Sequence, residues 1–180
     1  MFRTEKMIVK IITDRFILTP LKQSDISEKY LNWMRDQQVV ATLDPKKEQS
    51  IESLTSYFLS HNMINDFLFG IFTKNNIHIG NISFRSNPQN RTATCGVMVG
   101  EKEYWGKGVV LEVREKLIDW AFNELGIEKL EAGCHHTNIP AVFNFKKQGW
   151  DLEGVRKRHF IIDGKYIDIY LFAIFKDKWK

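Results

Sequence analysis

Two hydrophobic periods alternate along the chain and divide it into helices and strands. Apolar residues recur at helical spacing in four segments, one starting at Ser24–Asp25, one running from Ser50 to about His61, and two at 109–125 and 139–148. Seven short segments predict strands, at 16–21, 67–73, 77–85, 92–99 and 130–134 and on both sides of the turn at 163–164. The polar stretch from Asp36 to Gln49 is predicted to be irregular.

The order of these elements, β-α-α-β-β-β-α-β-α-β-β, predicts a mixed α/β fold of the α+β kind. Strands joined by short turns pair antiparallel, whereas the strands before and after the helix at 109–125 are joined by a crossover and pair parallel. We therefore expect a mostly antiparallel central sheet, flanked by helices, with one parallel pair. With 180 residues, of which 43% are hydrophobic, the chain is expected to form one domain, 1–180.

Composition and charge favour some cellular compartments and ligand classes over others. The longest apolar runs fall far short of the ~20 residues of a membrane span, and residues 1–6 lack the apolar region of a signal peptide. Cys95 and Cys134 form neither a disulfide framework nor a metal-binding pattern, which favours the reducing cytoplasm and no metal. The net charge of +4 suits an anionic ligand. No basic run with interleaved aromatic residues indicates nucleic acid, so we expect neither a nucleic-acid nor a membrane partner.

A glycine-punctuated turn at 104–111, Tyr-Trp-Gly-Lys-Gly-Val-Val-Leu, joins the strand 92–99 to the helix 109–125. Glycines let the backbone approach an anion, and the first N–H groups of the helix, together with its dipole, favour phosphate there. Lys107 adds a cation. The nucleoside-triphosphate loop is absent, and so is the dinucleotide fingerprint, because Leu111 stands where its third glycine is needed. A plain turn at a helix start is the alternative.

Extended to Glu112, this turn resembles the acyl-CoA pyrophosphate loop of the GNAT superfamily of N-acetyltransferases. The similarity is to the RimJ/RimL-like subgroup of ribosomal-protein-alanine and amino-sugar acetyltransferases, which reads Tyr-Trp-Gly-Lys-Gly-Tyr-Ala-Thr-Glu. Val110 departs from the pattern, because Gly or Ala is usual at its position. Further matches follow in chain order: Thr13 to Leu18, Asn138-x-x-Ala141, Phe145-x-Lys147-x-Gly149-Trp150, and the tail 153–179. The resemblance covers nearly the whole chain.

The resemblance implies the GNAT fold, acetyl-CoA as co-substrate, and direct attack of an amine on the thioester in a ternary complex. It implies that backbone groups of the strand before the loop hold the pantetheine arm. The N–H of Met98 would be the oxyanion donor, with a bulge at Gly96. The implied cofactor-binding residues are Val97, Met98, Val99, Trp105, Gly106, Lys107, Gly108, Val109, Val110, Asn138, Phe143, Phe145 and Lys147. The alternative roles are core strand for 97–99, helix N-cap for Asn138 and core packing for Phe143.

Three positions that often carry acid or base groups in the family are chemically silent in this chain: Thr94, Ala141 and Phe145. An amine with a pKa near 10.4 is almost wholly protonated at pH 7, a penalty of roughly 4 kcal/mol, so water or another side chain must take the proton. His135 is the candidate base, with His136 and His78 as alternatives. Cys134 is expected to be a buried thiol rather than a nucleophile.

The acceptor side is expected between the segment 33–44 and the closing hairpin near 156–160. Trp33 and His78 are the candidate substrate contacts, and Trp33 resembles a residue of sugar-modifying relatives that would stack on a base, with core packing as its alternative. The acceptor stays open among a nucleotide-linked amino sugar, a protein N-terminus, and a polyamine or antibiotic amine. A non-catalytic acyl-CoA sensor and, from charge alone, a nucleic-acid-binding module are the competing classes. Both a monomer and a homodimer are open.

Overall fold

A computed structural model describes residues 9–43 and 49–180. Its strands, in chain order, are β1 Ile11–Ile12, β2 Phe16–Pro20, β3 Asp66–Thr73, β4 His78–Asn87, β5 Thr92–Val99, β6 Lys129–His135, β7 Asp151–Ile162 and β8 Lys165–Phe175. Its α-helices are α1 Glu28–Arg35, α2 Gln37–Val40, α3 Ile51–Leu59, α4 Val109–Asn123 and α5 Ile139–Lys147. Three 3-10 turns lie at Gln23–Asp25, Lys102–Tyr104 and Lys176–Lys178.

The eight strands form one sheet in the order β1-β2-β3-β4-β5-β6-β8-β7. Among these eight strands of the described residues, β5 and β6 alone form a parallel pair, and α4 is the crossover between them. All other neighbours pair antiparallel. The predicted fold class, a mostly antiparallel sheet flanked by helices with one parallel pair, is confirmed.

Two hydrophobic clusters cover the two faces of the sheet. The larger one packs the apolar stripe of α4 against β2 to β6, and its centre includes Val113, Leu117 and Ala121, each 0% exposed. The smaller one packs α1 and α3 against the other face through Leu31, Leu54 and neighbouring side chains. Val97 and Val99 pack on the first cluster and Met98 on the second, so successive side chains of β5 reach opposite faces.

The first helices differ from their predicted bounds for reasons of capping. Ser24 and Asp25 lie in a 3-10 turn, and α1 begins after Ser27, whose side chain accepts a hydrogen bond from the N–H of Tyr30. The predicted start at Ser24 is therefore wrong by one turn. The predicted irregular stretch after Asp36 contains α2, because the Asp36 carboxylate caps the N–H of Gln38 at 2.9 Å. The end of that stretch, at 44–48, lies outside the described residues.

The pairing of β4 with β5 runs without interruption from Gly80↔Val99 to Asn87↔Thr92. The bulge expected at Gly96 is therefore not present in this pair. Irregular register occurs instead between Ile71 and Phe72 of β3 and at two points of β7. Within the described residues, no helix combines the length and the apolar character that a membrane crossing requires.

Candidate functional site

A gap opens between the two parallel strands at the centre of the sheet. β5 pairs with β6 only over Thr92–Thr94, against Lys129–Glu131. Beyond this point β6 continues to pair with β8 as far as His135, and β5 continues to pair with β4 as far as Val99. The facing edges of β5 and β6 therefore diverge, and their backbone groups are left for a ligand.

The register shows which residues of β5 point into the gap. The carbonyl oxygen of Arg91 accepts from the N–H of Glu128 on the β6 side, while the N–H of Gly100 donates to Ile79 O on the β4 side. Because the backbone groups of successive strand residues point to opposite neighbours, the odd-numbered residues 91–99 face β6. The N–H groups of Val97 and Val99 thus face the gap. The N–H of Met98 faces Asn81 of β4, which corrects the assignment of Met98 as oxyanion donor.

The glycine turn closes one end of this gap. Gly106 and Gly108 have φ values of +71° and +73°, a left-handed conformation that side chains with a Cβ adopt only with strain. Gly108 is the N-cap of α4 and offers no capping side chain, so the first N–H groups of the helix are open to an anion. Lys107 is exposed beside them, with its ammonium 5.8 Å from the centre of the Tyr104 ring.

Two hydrogen bonds fix the turn to the sheet. The indole Nε1 of Trp105 donates to the carbonyl oxygen of Val99 at 2.8 Å, and the Arg15 guanidinium donates to the carbonyl oxygen of Lys107 at 3.0 Å. Trp105 is 42% exposed, so this bond, rather than burial, holds its ring in place. The sequence pointed to Trp105 and did not assign Arg15 this role.

Glu112, in the first turn of α4, ties the helix to the start of β2. Its carboxylate accepts from the Thr13 hydroxyl at 2.5 Å, from the Arg15 N–H at 2.7 Å and from Arg15 Nε at 2.6 Å. Burial raises the pKa of Glu112, and the hydrogen bonds from Thr13 and Arg15 outweigh it, so that the pKa lies below its ordinary value. The carboxylate is ionised at neutral pH and also complements the helix dipole.

The helix α5 begins at the open end of the gap. Asn138 caps it, accepting from the N–H of Ala141 at 3.2 Å, and its Nδ2 donates to the Thr42 hydroxyl at 2.9 Å. Phe143 is 61% exposed, so the alternative role in core packing is wrong. Phe145 is 4% exposed and stacks on Phe172, so its ring has almost no open face for a cofactor.

The remaining predicted cofactor residues divide by exposure. Gly106, Gly108 and Lys147 are exposed, and Val110 is half-buried. Val109 is 2% exposed and belongs to the core, so only its backbone is available to a phosphate.

A buried arginine near the gap was not found from the sequence. Arg114 of α4 is 3% exposed, its Nε donates to the Gln148 side chain at 2.5 Å, and its guanidinium lies 4.1 Å from the centre of the Phe145 ring. Its burial could have been predicted from helical spacing, because position 114 lies four residues after Val110 and three before Leu117, on the apolar stripe of the helix.

Trp33 is almost wholly buried and His78 is half-buried. Trp33 is 6% exposed, and its indole N–H donates to Glu101 at 3.1 Å. His78 packs edge-on against it at 4.9 Å, and its Nε2 lies 2.8 Å from Asn81 Oδ1. Burial lowers the pKa of His78, more than the hydrogen bond to Asn81 raises it. Trp33 therefore takes the core role, and it positions Glu101.

The histidines at the end of β6 are more enclosed than a surface base would be. His135 is 2% exposed and lies beside Phe160 at 5.7 Å. His136 is half-buried, and its Nδ1 accepts from the N–H of Asp168 at 3.0 Å. No cluster of metal-ligating side chains occurs among residues 9–43 and 49–180.

A surface groove of about 650 Å³ lies between α1 and the turn after β5. It is lined by Lys29, Asn32, Trp33, Asp36, Gly100, Glu101, Lys102 and Glu103. Two of its carboxylates are paired, Glu101 with Lys29 at 2.9 Å and Asp36 with Lys102 at 2.6 Å. The groove therefore presents both charges, with one more carboxylate than ammonium groups.

Comparison with known proteins agrees with this geometry. The family model described as Acetyltransferase (GNAT) domain matches residues 15–150. The Probable N-acetyltransferase YjcK of Bacillus subtilis (strain 168) is 30% identical over 112 residues, which cover 61% of this chain and 61% of that protein. The chain spans 57% and 61% of the length of two curated relatives that it matches.

Solved structures share the fold. A spermidine N-acetyltransferase from Vibrio cholerae, in complex with CoA and spermine, has a TM-score of 0.82 at 21% identity, covering 91% of this chain and 96% of that one. RimL, a ribosomal L7/L12 alpha-N-protein acetyltransferase in complex with coenzyme A, has a TM-score of 0.82 at 18% identity, covering 94% and 99%. At these identities the likeness is one of fold.

Proposed function

The chain belongs to the GNAT acetyltransferase family, and on that premise we propose that it is an acetyl-CoA-dependent N-acetyltransferase acting on a primary amine. The observation that carries the proposal is the divergence of β5 from β6 after Thr94 and Glu131. It leaves a free strand edge that ends at an uncapped helix N-terminus. An extended amide-containing chain that ends in a pyrophosphate matches both features, because the edge offers amide partners and the helix start offers phosphate donors.

Acetyl-CoA would bind with its pyrophosphate at Gly106–Gly108 and its pantetheine arm along Val97 and Val99. Lys107 would add its charge to the phosphates, and the Asn138 side chain would contact the pantetheine amides.

The N–H of Cys95 completes the parallel ladder at Glu131, so the N–H of Val97 is the first free donor of β5 that faces the gap, and we assign it as the oxyanion donor. A well-placed donor of this kind contributes about 3 kcal/mol to the transition state.

The reaction proceeds by direct attack. The unprotonated amine attacks the thioester carbon, a C–N bond forms, and the C–S bond breaks as the electron pair passes to sulfur. We assign removal of the ammonium proton to water, because His135 is nearly fully buried. His135 is the side-chain alternative for this step, and replacement of His135 by Gln tests the assignment: unchanged turnover supports water, and loss of turnover supports His135.

The acceptor would approach between two segments that flank the gap. The hydrogen bond between Asn138 and Thr42 brings the chain after α2 to the start of α5. Opposite, Arg156 of β7 is in register with Ile169, which pairs with His135 at the end of β6. The exposed run Arg156-Lys157-Arg158 favours an anionic acceptor, a nucleotide-linked amino sugar, with a protein N-terminus as the second class.

The groove beside α1 supports a different acceptor. Its carboxylates, Asp36, Glu101 and Glu103, favour a cationic amine such as a polyamine or an aminoglycoside antibiotic. A non-catalytic acyl-CoA sensor is the alternative outside enzymes, since Thr94, Ala141 and Phe145 carry no acid or base. We place the protein in the cytoplasm, where the free thiols Cys95 and Cys134 are kept reduced.

Release of free thiol from acetyl-CoA tests the proposal. The protein is mixed with acetyl-CoA and, in separate reactions, a nucleotide-linked amino sugar, a peptide with a free N-terminus, spermidine and an aminoglycoside, with a no-amine control. We expect thiol release above the control with one class of amine. Binding of acetyl-CoA without turnover of any amine would favour the sensor. Failure to bind acetyl-CoA in calorimetry would refute the proposed site.

A further inference from the structure

Among the described residues, Arg114 is a buried positive charge that the fold leaves incompletely paired. Arg114 of α4 is 3% exposed, and its guanidinium lies 4.1 Å and 5.3 Å from the centres of the Phe145 and Trp150 rings. Burial lowers its pKa to about 10, so the side chain is still a cation at neutral pH. Burying an unpaired charge is costly, and such a group calls for an anion.

The Nε and Nη2 groups of Arg114 differ in their hydrogen bonding. Nε donates to the Gln148 side chain, whose own Nε2 is held by the carbonyl oxygen of Leu111 at 2.8 Å. Nη2 is buried and has no hydrogen-bond partner. No carboxylate in the described part of the chain forms an ion pair with this arginine. The geometry thus leaves one strong donor without an acceptor.

The guanidinium lies against the Phe145 ring, which stacks on Phe172. Phe172 pairs with Ala132, the first residue of β6 beyond its pairing with β5, so Arg114 lies near the base of the gap between β5 and β6.

The titratable groups that act on the guanidinium are Cys95, which directly follows the last paired residue of β5, and Cys134, three residues beyond the last paired residue of β6. One thiol therefore stands on each side of the point where the strands part. Phe145 of α5 and Gln148, which directly follows that helix, are the uncharged partners of the guanidinium on this side.

Neither cysteine supplies the missing anion. Burial raises the pKa of each thiol to about 11, and the smaller effect of Arg114 lowers it. Both are therefore protonated at neutral pH and leave the charge of Arg114 unmatched. An anion that forms transiently in the gap would match it.

We infer that Arg114 is a catalytic residue that stabilises the thiolate of coenzyme A as it leaves. The inference rests on the proposed function, because the sulfur of the bound thioester defines the position of the anion. The carbonyl oxygen is assigned to the N–H of Val97, and the sulfur is bonded to the same carbon. On the path assigned to the pantetheine arm, the sulfur lies in the gap on the Val99 side of that carbon, and we assign the unpaired Nη2 of Arg114 as the donor to it.

The step needs no proton from Arg114. The amine nitrogen forms a bond to the carbonyl carbon, the C–S bond breaks, and its electron pair becomes the negative charge on sulfur. Arg114 stays protonated and its Nη2–H donates to that sulfur. The proton lost by the amine passes to water, and the thiolate takes up a proton from water before or after release. This role compensates for the absence of an acidic side chain at positions 94, 141 and 145.

Binding of CoA and acetyl-CoA at several pH values tests the inference without knowledge of the acceptor. CoA has an ionisable thiol and acetyl-CoA has none. The ratio of their affinities therefore reports how ionisation of the thiol changes binding. If Arg114 lowers the pKa of the bound thiol by about one unit, the affinity of CoA relative to acetyl-CoA rises roughly five- to tenfold from pH 6.5 to 9.0. Cys95 and Cys134 stay protonated over this range, and Arg114 stays charged.

Three variants complete the experiment, measured by calorimetry on folded protein. In Arg114→Met the ratio stays level or falls with pH, and in Arg114→Lys, which keeps a cation, it rises less than in the unaltered protein. The control Arg15→Met weakens the binding of both ligands by the same factor. It leaves the pH dependence of the CoA to acetyl-CoA affinity ratio unchanged. A level ratio in the unaltered protein, or an equal rise in Arg114→Met, overturns the inference while the CoA site stands. Failure of both ligands to bind refutes the proposed function instead. If Arg114→Met does not fold, the ratio in the unaltered protein and in Arg114→Lys still decides.

Discussion

The indole nitrogen of Trp105 donates a 2.8 Å hydrogen bond to the carbonyl oxygen of Val99, the last residue of β5. This bond joins the glycine turn to the strand edge that faces the gap. The two surfaces assigned to acetyl-CoA, one for its phosphates and one for its amide chain, are thereby held in one fixed relation before the ligand arrives. Such pre-organisation strengthens binding, because less order must be imposed by the ligand.

Replacing Trp105 by Phe should weaken CoA binding about three- to tenfold, since one hydrogen bond contributes roughly 0.5–1.5 kcal/mol. Calorimetric titration with CoA measures the effect. The matched control is Trp179→Phe, which removes another indole hydrogen bond, to Asp119 at 2.7 Å, away from the turn. Equal CoA affinities for the two variants would show that the Trp105 bond does not organise the site.

Replacing Gly108 by Ala should destabilise the protein by about 1–2 kcal/mol, because its φ of +73° is unfavourable for a residue with a Cβ. It should also abolish detectable CoA binding, because the new methyl group stands at the start of α4, where phosphate is to be held. Urea unfolding and calorimetry measure the two effects. Gly126→Ala is the control: its φ is +67° and a Cβ there meets nothing within 4 Å, so the stability loss is shared and CoA affinity is kept. If Gly108→Ala still bound CoA with unchanged affinity, the turn would not be the phosphate site.

Asn138 has two assigned tasks that substitution separates. Asn138→Asp keeps the oxygen that caps the N–H of Ala141 and loses the amide donor, whereas Asn138→Ala loses both. We expect a stability loss of about 1 kcal/mol in the Ala variant and a smaller one in the Asp variant. CoA affinity should fall in both. Thermal unfolding with and without CoA measures stability and binding together, and full CoA affinity in Asn138→Asp would limit the residue to its capping role.

The pH dependence of stability should report the Glu112 carboxylate. Its pKa in the folded protein lies below the ordinary glutamate value of 4.5, because hydrogen bonds from Thr13 and Arg15 outweigh burial. Its contribution is therefore complete above about pH 4.5 and is lost as the pH falls through the lower folded pKa. Glu112→Gln should be less stable than the unaltered protein at pH 7, and this difference should shrink between pH 4.5 and pH 3.

Urea unfolding at several pH values measures that difference. Glu115→Gln, an exposed residue on the same helix, serves as the control and should leave the stability nearly unchanged at every pH. A constant gap between Glu112→Gln and the unaltered protein down to pH 3 would contradict the assignment.

The sequence predicted the strands and long helices well, because each depends on its own apolar period and on local caps such as Ser50, which does begin α3. It did not predict which phenylalanine of α5 is buried. That choice depends on Phe172 of β8, a partner far away in the chain that stacks on Phe145 and leaves Phe143 at the surface.

Within the site, the pattern located the glycine turn and the strand that faces the cofactor. It did not decide between neighbouring backbone groups, because the direction of the Met98 and Val97 N–H groups follows from pairing with β4 and β6, which depends on register. Arg114 was missed for a similar reason. The sequence pattern indicates that Arg114 lies on the apolar stripe of α4. The gap beside it depends on the divergence of β5 and β6, which the pattern does not predict.

Amide hydrogen exchange of β5, followed residue by residue by NMR with and without acetyl-CoA, tests the central claim most directly. The account predicts that the N–H groups of Val97 and Val99 exchange rapidly in the free protein and become strongly protected when acetyl-CoA is present. The N–H of Met98, paired with β4, should be protected in both states. Unchanged exchange at Val97 and Val99 in the presence of saturating acetyl-CoA would contradict binding in the gap between β5 and β6.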